Sequence, residues 1–364
     1  MKAVLVFAML EGTGGIEEFV LNLSRYKNDY GIMYDYIIIG ETSVYSDEIK
    51  KLGRNCYFIP KKENLFANII GWIKLFFDNR RKYDLVYFNV SGFYYPLPYI
   101  IAKVCGYNIV FHAHNTKDIS RKEVVHFAHY FNRFYITKFT KTYYACSLMA
   151  GEWIYGKKLI NQGIVQIVPN AIDLKRFTRK DIVKKKSIND IKIEGKFVIG
   201  NIARLSAVKN QQFLIKIFYE YLNYNSESLL MLVGSGETEN ELKKMVKMLN
   251  IEDKVIFYGN TKKPEELYEI FDCFVLPSLN EGFPITLVEA QAMGLKCFVS
   301  ENVTKEVNIT NNITYISLDA SPRKWAEIIY DTNCTYYSAI DELCEKGYDI
   351  SYMVNDMSRR FDAL

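Results

Sequence analysis

The residues best suited to chemistry lie in two short segments in the second half of the chain. Arg204 and Lys209 stand five positions apart, in a loop that follows one apolar run and precedes an amphipathic stretch. Glu281 and Glu289 stand eight positions apart, in a segment that follows another apolar run. Two cations can neutralise a diphosphate, and two carboxylates can accept hydrogen bonds from the hydroxyls of a sugar. The two segments together predict a site for an anionic ligand that carries hydroxyl groups.

The segment that carries the glutamates also offers backbone donors. Pro284 suits the first turn of a helix, and the N–H groups near Thr286 and Leu287 would then be free to bind an anion. A solvated surface is the competing interpretation, because lone cations and helix glutamates are usually exposed. Against it, Glu289 lies in an otherwise apolar run, and a buried carboxylate needs a partner or a ligand.

Two groups of residues in the first half also follow apolar runs. Gly14 and Gly15 form a turn before a helix, where glycine lets backbone N–H groups approach a ligand closely. The turn is not the GxGxxG dinucleotide fingerprint, and packing alone could equally account for it. His112 and His114, followed by Asn115, end another strand and would point to the same face of it. A ligand at this end of the strand and hydrogen bonds to the backbone are alternative interpretations, and we expect no metal there.

Short apolar runs alternate with amphipathic stretches along both halves of the chain, a pattern typical of parallel sheets with helices on both faces. In the first half, strands are predicted at residues 3–9, 36–39, 85–88 and 108–113, with helices from residue 16 and around 46–52. In the second half, strands are predicted at residues 197–202, 229–233, 254–257, 273–277 and 296–300, with helices at 212–223, 238–249, 264–270 and 284–293. Because 364 residues exceed the size of most single cores, the repeated pattern predicts two α/β domains.

The domain boundaries follow from breaks in this pattern. We predict an N-terminal domain at residues 1–173, a C-terminal domain at 174–347 and a polar, basic linker region at 182–190. Residues 348–364 carry apolar side chains at the spacing of a helix face, so we predict a helix there that can pack back on the first domain.

The charges are spread along the chain rather than gathered in an arm or a tail. Lys and Arg total 46 against 42 Asp and Glu, a formal net charge of +4, so we expect no nucleic-acid partner. This mild excess suits an anionic small molecule or an anionic membrane surface. Seven scattered cysteines without a CxxC pair indicate reduced thiols, and the most apolar stretch, residues 65–77, is too short to span a bilayer. We therefore expect a cytoplasmic protein that can bind peripherally to the inner face of the cell membrane.

Five segments in this order resemble one known family. They are the glycine turn with Ile16 and Glu17, residues 168–173, the segment with Arg204 and Lys209, residues 233–236, and the E-x7-E pair of Glu281 and Glu289. The whole chain is similar to glycosyltransferase family four, the glycosyl transferases group 1. The resemblance implies the GT-B fold, an α/β architecture in which the parallel sheets of two Rossmann-like domains face each other across a cleft.

The resemblance also implies a role for each matching residue. Arg204 and Lys209 would neutralise the donor diphosphate, and we expect both to be exposed and to pair only with ligand phosphates. Glu281 would contact hydroxyls of the transferred sugar, while His114, or alternatively His112, would approach that sugar. The implied donor-binding residues are Gly14, Gly15, Gly234, Phe283, Pro284, Thr286, Leu287 and Glu289, the last of them at the ribose, with His112 and Asn115 as candidates on the acceptor side. The family's glycine-rich turn is missing at residues 300–306. The resemblance therefore does not identify the donor-binding residues in that part of the pocket.

The implied activity is that of a retaining glycosyltransferase of the EC 2.4 class. It would move a sugar from a nucleotide-diphosphate sugar, expected to be a UDP-sugar, to a hydroxyl of a glycan or lipid-linked acceptor in surface polysaccharide synthesis. No metal and no cofactor are expected, because cations and helix-terminal amides would meet the diphosphate. A catalytically silent subunit that binds nucleotide sugar is the main alternative, and a sugar-nucleotide epimerase or a phosphorylase is a second.

Two further segments predict contact with a membrane. Residues 64–83 and 121–141 interleave aromatic and aliphatic side chains with lysine and arginine, as interfacial helices do. Ordinary core helices are the alternative interpretation, because such stripes usually pack on a sheet. Docking on an anionic bilayer would suit an enzyme whose acceptor is linked to a lipid.

Overall fold

The chain forms two compact units, and each is built on its own parallel sheet. The computed structural model describes residues 2–8, 15–115, 123–179, 187–188 and 191–364. The first unit comprises Met1–Ala171 with Gly347–Leu364, and the second comprises Ile172–Lys346.

Seven strands form the sheet of the first unit, in the order β3-β2-β1-β4-β5-β6-β7. They are β1 (Ala3–Phe7), β2 (Met33–Ile39), β3 (Cys56–Ile59), β4 (Leu85–Val90), β5 (Asn108–Ala113), β6 (Tyr143–Ala145) and β7 (Val165–Ile167). The helices between them are α1 (Gly15–Arg25), α2 (Ser46–Lys51), α3 (Leu65–Asn79), α4 (Leu97–Val104), α5 (Glu123–Ile136), α6 (Leu148–Tyr155) and α7 (Lys157–Asn161). Every residue of β4 is buried, because helices cover both faces of a parallel sheet.

The second unit repeats this architecture around a six-stranded sheet, in the order β12-β11-β10-β13-β14-β15. A short antiparallel pair, β8 (Ser187–Ile188) and β9 (Ile191–Lys192), precedes it. The strands of the sheet are β10 (Phe197–Ile202), β11 (Ser228–Val233), β12 (Val255–Gly259), β13 (Cys273–Leu276), β14 (Lys296–Ser300) and β15 (Ile313–Ile316). The helices are α8 (Gln211–Tyr221), α9 (Glu239–Met248), α10 (Pro264–Tyr268), α11 (Ile285–Ala292), α12 (Pro322–Asp331) and α13 (Ile340–Glu345).

The C-terminal helix, α14 (Ile350–Asp362), belongs to the first unit. Met357 and Phe361 on its apolar side lie in the same core as Tyr34. The hydroxyl oxygens of Tyr34 and Ser358 are 2.8 Å apart, which adds a buried hydrogen bond to this packing. The chain therefore leaves the first unit after residue 171 and returns to it at residue 347.

In both sheets the strand order reverses next to the first strand. β1 lies between β2 and β4, and β10 lies between β11 and β13. Ligands of open α/β sheets bind beyond the carboxyl ends of the strands at such a reversal. The loops after β10 and β13 carry Arg204, Lys209 and Glu281, so these residues follow the two strands that flank the reversal of the second sheet.

Many of the predicted strands and helices are confirmed. The strands at 108–113, 197–202 and 296–300 have the predicted bounds, and the predicted helix at 348–364 is observed as α14. The first strand ends at Phe7, and residue 9 of the predicted strand lies outside the described residues. Of the predicted linker at 182–190, only residues 187–188 are described. Within the described ranges, no helix combines the length and the apolar character needed to cross a bilayer.

Candidate functional site

The clearest arrangement of predicted site residues is an ion pair at the strand reversal of the second sheet. Lys209 ends a short 3₁₀ helix after β10, and Glu281 follows β13. Lys209 Nζ donates to Glu281 Oε1, and Ser278 Oγ donates to the same oxygen at 3.1 Å. Both side chains of the ion pair are half-buried. The predicted cation and the predicted carboxylate thus share one polar site with Ser278, which residue type and spacing did not single out.

Hydrogen bonds to the backbone fix the two loops that carry this pair. Leu279 N donates to Val208 O at 2.8 Å, and Asn210 Nδ2 donates to Pro277 O at 3.1 Å. Asn210 has a φ of 56°, in the left-handed region that asparagine enters more readily than most residues. The geometry of the ion pair is therefore set by the fold of both loops and not by the two charges alone.

Arg204 forms a different ion pair. Its Nη2 is 3.1 Å from Glu237 Oε2, and its side chain is 72% exposed. A backbone hydrogen bond and the nearby Arg204 charge lower the pKa of Glu237. The expectation that Arg204 and Lys209 pair only with ligand phosphates is wrong, because each is paired with a glutamate. Arg204 stays accessible to a ligand. To bind a phosphate, Lys209 has to contact it together with the Glu281 carboxylate or release that carboxylate.

Glycines after β11 let two loops approach each other closely. A Cβ on Gly234, whose φ is 129°, would lie 2.1 Å from Ala203 O, and one on Gly236 would lie 2.1 Å from Leu205 O. Leu205 N donates to Ser235 O at 3.0 Å, so the loop after β11 supports the loop after β10. This packing accounts for the glycine at position 234, while donor binding by Gly234 stays a prediction.

Helix α11 starts one residue later than predicted. Pro284 precedes the helix in an extended conformation and is not part of its first turn. Leu287 N donates to Pro284 O at 3.1 Å, so the expectation of a free amide at Leu287 is wrong. Phe283, Pro284 and Leu287 are buried, whereas Thr286 is half-buried. Of these predicted donor-binding residues, Thr286 is the most accessible to a ligand.

Glu289, also on α11, has a protein partner that no sequence pattern indicated. Tyr268 Oη lies 2.9 Å from Glu289 Oε2 and 3.1 Å from Thr286 O. Tyr268 is fully buried, and burial together with the charge of Glu289 raises the pKa of Tyr268 well above its usual range. Its hydroxyl therefore stays protonated and can donate to the carboxylate. Tyr268 in this way orients Glu289.

The two predicted histidines of the first unit lie together in its core. The ring centroids of His112 and His114 are 4.1 Å apart, which confirms that the two side chains share one face. His112 Nδ1 hydrogen-bonds with Tyr87 Oη, and His114 Nε2 is 2.8 Å from Asn89 Oδ1. Burial lowers the pKa of His114 to about 3 and holds the pKa of His112 well below its usual value. Both rings are therefore neutral near pH 7, and each can offer a hydrogen bond but no positive charge.

The remaining predicted residues are distributed as follows. Gly15 is exposed at the first residue of α1, and Asn115 is exposed just beyond β5. Gly14 lies outside the described residues. Glu281 forms a parallel bridge with Val303, so the segment after β14 contacts the loop of the ion pair. Over the part of the chain that the structure describes, no group of three or more His, Cys, Asp or Glu residues could hold a metal ion.

The sequence of this chain is similar to those of known proteins. Residues 183–329 match the family model described as glycosyl transferases group 1. EpsF of Bacillus subtilis strain 168, a protein named as a glycosyltransferase, is 29% identical over 87% of this chain and 84% of its own length. A UDP-Gal:alpha-D-GlcNAc-diphosphoundecaprenol alpha-1,3-galactosyltransferase of Escherichia coli is 28% identical over 78% of this chain and 72% of its own length. Residues 183–329 are therefore similar to the glycosyl transferases group 1, and most of the chain is similar to proteins named as glycosyltransferases.

Solved structures share the fold of this chain. Anabaena Alr3699/HepE in complex with UDP matches it with a TM-score of 0.79 and 16% identity, over 100% of both chains. The predicted GT-B fold, an α/β architecture with two Rossmann-like units and parallel sheets, is confirmed. The matched segment includes Arg204, Lys209, Glu281 and Glu289, so the predicted charged residues of the second unit all lie within it.

Proposed function

We propose that this chain is a glycosyltransferase that moves a sugar from a UDP-sugar to a hydroxyl of a lipid-linked or polysaccharide acceptor, with retention of the anomeric configuration and without a metal. The observation that carries the proposal is the half-buried Lys209–Glu281 pair at the strand reversal of the second sheet. The solved Anabaena protein bound to UDP supports uracil as the base of the donor nucleotide. The Escherichia coli relative, whose name contains a diphosphoundecaprenol-linked sugar, supports a lipid-linked acceptor.

In the proposed reaction, Lys209 and Arg204 bind the donor diphosphate. The bond between the anomeric carbon and the diphosphate oxygen breaks, and the acceptor hydroxyl oxygen bonds to the anomeric carbon on the same face. The hydroxyl proton passes to the departing diphosphate. Negative charge develops on the leaving group, where a cation already in place stabilises the transition state by about 2–4 kcal/mol.

The two glutamates have separate tasks in this proposal. Glu281, held by Lys209 and Ser278, accepts hydrogen bonds from hydroxyls of the transferred sugar. Glu289, oriented by Tyr268, accepts hydrogen bonds from the ribose. The N-terminal end of α11 adds its dipole to the attraction of the diphosphate. His114 stays a candidate for one hydrogen bond to the sugar through its neutral ring.

A nucleotide-release assay tests the proposal. The purified protein is incubated with UDP-, GDP- and ADP-sugars, with and without an undecaprenyl-diphosphate-linked sugar, and the free nucleotide is measured. We expect UDP release that requires the acceptor and continues in EDTA. Nuclear magnetic resonance of the product should show the same anomeric configuration as the donor.

The other outcomes of this assay distinguish the alternatives. Binding of a nucleotide sugar without release, for every acceptor tried, would favour a silent binding subunit. Conversion of the sugar nucleotide to an isomer without acceptor would favour an epimerase. Loss of activity in EDTA, restored by magnesium or manganese, would contradict the metal-free diphosphate site, and a product of opposite configuration would reject retention.

A further inference from the structure

Helix α3 exposes a stripe of large apolar side chains. Phe66, Ile70, Ile73 and Phe77 are all exposed, with Phe66 at 76%, and their spacing places them along one side of the helix. The opposite side is buried and contains Trp72. Packing on the sheet therefore accounts for only one side of this helix, and within the described part of the chain the other side stays exposed.

Helix α5 is divided in the same way. Val124, Phe127, Phe131 and Phe134 are exposed, with Phe134 at 74%. The opposite side buries His129, whose two ring nitrogens hydrogen-bond to backbone groups. Soluble proteins rarely leave so many large rings in one exposed patch unless the patch binds something.

The two stripes lie in one layer of helices. The chain steps from β3 to β4, from β4 to β5 and from β5 to β6 in the same direction across the sheet, and right-handed crossovers then place α3, α4 and α5 on the same face. Tyr107 Oη, just after α4, donates to Phe76 O of α3 at 2.9 Å. Lys103 Nζ of α4 donates to Phe139 O, beyond α5, at 3.0 Å. Val104 on α4 is exposed as well, so three neighbouring helices present apolar side chains on one side of the first unit.

Positive charges border these stripes. The guanidinium carbon of Arg80 is 4.7 Å from the ring centroid of Phe77, and Lys138 Nζ is 4.2 Å from that of Phe134. Further exposed cations are Lys74, Arg81 and Lys141, while the acidic residues of the three helices are Asp78 and Glu123. The surroundings of the exposed rings therefore favour an anionic partner.

We propose that this aromatic layer, the exposed stripes of α3 and α5 together with Val104, binds the surface of an anionic lipid bilayer. Large apolar side chains enter the membrane interface, and the bordering lysines and arginines attract anionic headgroups. The inference rests on the proposed function in one respect, since a lipid-linked acceptor gives the enzyme a reason to bind a membrane. The binding itself needs no acceptor.

Sedimentation with vesicles tests the proposal on the full chain. Vesicles of phosphatidylcholine alone are compared with vesicles of equal parts phosphatidylcholine and phosphatidylglycerol, at low and at high salt. We expect binding to the anionic vesicles at low salt, and weaker binding at high salt because salt screens exposed charges. Absence of binding to anionic vesicles at low salt overturns the proposal.

Single substitutions locate the binding surface. Phe66→Ser and Phe131→Ser each remove one inserted ring and should weaken partitioning about tenfold or more. Lys138→Gln removes one charge and should weaken it about fivefold. The matched control is Met248→Ser in the second unit, where the methionine is 76% exposed, and this substitution should leave partitioning unchanged. Equal losses for Met248→Ser and Phe131→Ser would contradict the location.

Two measurements separate membrane binding from self-association and from catalysis. If light scattering shows a dimer that Phe131→Ser dissociates, and vesicles do not bind, the aromatic layer contacts a second copy and the proposal fails. UDP release with a water-soluble acceptor tests the proposed function in the absence of any bilayer. Release without vesicle binding would overturn the docking alone, whereas vesicle binding without release would overturn the proposed activity alone.

Discussion

A lysine that already holds a carboxylate can bind a diphosphate only by sharing or exchanging that partner. Lys209 is in this position because Glu281 accepts its hydrogen bond. We expect Lys209→Ala to lower kcat about a hundredfold, since a cation at the leaving group contributes about 3 kcal/mol in the transition state. Steady-state kinetics of UDP release measures this loss. The fold should persist, because hydrogen bonds to the backbone fix both loops.

A matched ion pair elsewhere in the second unit provides the control for this substitution. Lys243 Nζ is 2.6 Å from Glu239 Oε1 on α9, so Lys243→Ala removes a similar pair outside the proposed site and should leave kcat unchanged. Arg204→Ala should also abolish most transfer, with little loss of stability because exposed ion pairs contribute little. Turnover within about threefold of wild type for both Lys209→Ala and Arg204→Ala would reject the site.

His114 makes the stability of the first unit depend on pH. Its pKa is about 3 in the folded protein and near 6.5 in an unfolded chain, so between these values the unfolded state binds a proton that the native state does not. The contribution of the neutral ring is complete above about pH 6.5 and decreases as the pH falls toward 3. We expect the melting temperature to fall on acidification, and to fall less steeply for His114→Asn. Identical slopes for the two proteins would contradict this assignment.

At the residue scale, the sequence predicts the charged groups of the second unit but not their partners. Residue type and spacing are enough to single out Lys209 and Glu281. Their pairing depends on the contact between two loops. Because the two residues are 72 positions apart in the chain, no local sequence pattern predicts this contact. Tyr268 gave no signal at all, because a buried tyrosine beside apolar residues looks like any other core residue until its hydroxyl is seen to contact Glu289.

Among the elements, the loop after β11 supports the loop that carries Arg204. A substitution of Gly234 tests this role. A methyl group at position 234 would meet Ala203 O at 2.1 Å, at a φ of 129°. We expect Gly234→Ala to destabilise the second unit by about 1–3 kcal/mol and to lower kcat, because the loop that carries Arg204 has to move. Chemical denaturation and the UDP-release assay measure the two effects.

The control for this substitution is a glycine whose φ is also positive but which has open space where a Cβ would lie. Gly195 has a φ of 72°, and a Cβ there would have no other atom within 4 Å. Gly195→Ala should therefore cost only the strain of the left-handed region, about 1–2 kcal/mol, and leave kcat unchanged. If both substitutions lowered kcat equally, the close approach at Gly234 would not be the cause.

The sequence predicts an element well where nearly all of its residues are buried, and less well where only one side of the element is buried. β5 and β10 form nearly continuous apolar runs because both faces of the sheet are covered, so their bounds follow from the sequence. In α3 both sides of the helix are largely apolar, so the period does not show which residues face the sheet. In α5 the buried side carries His126, His129 and Asn132 while large apolar side chains are exposed, so the usual rule that the apolar side is buried would choose the wrong side. Only the structure separates the buried Trp72 from the exposed Phe66.

For the whole molecule, the helix that returns to the first unit predicts a difference between the two units. Phe361 is fully buried in the core of the first unit, so Phe361→Ala should destabilise that unit by about 3–5 kcal/mol through the cavity it leaves. Hydrogen–deuterium exchange should then show faster exchange in β1, β2 and β4 and unchanged exchange in β10 and β13. Tyr352→Ala, on the exposed side of the same helix, is the matched control. Faster exchange of equal size in both units would contradict the expectation.

The return of the chain at residue 347 also sets an order of events on the ribosome. When residue 346 has been synthesised, the second unit has its whole continuous segment, whereas the core of the first unit still lacks α14. Translation proceeds from the N-terminus and adds about 5–20 residues per second. The unit whose synthesis begins first is therefore the unit whose core is completed last. Until Met353, Met357 and Phe361 leave the exit tunnel, the apolar surface around Tyr34 is open to chaperones, and a stalled ribosome would leave that surface uncovered.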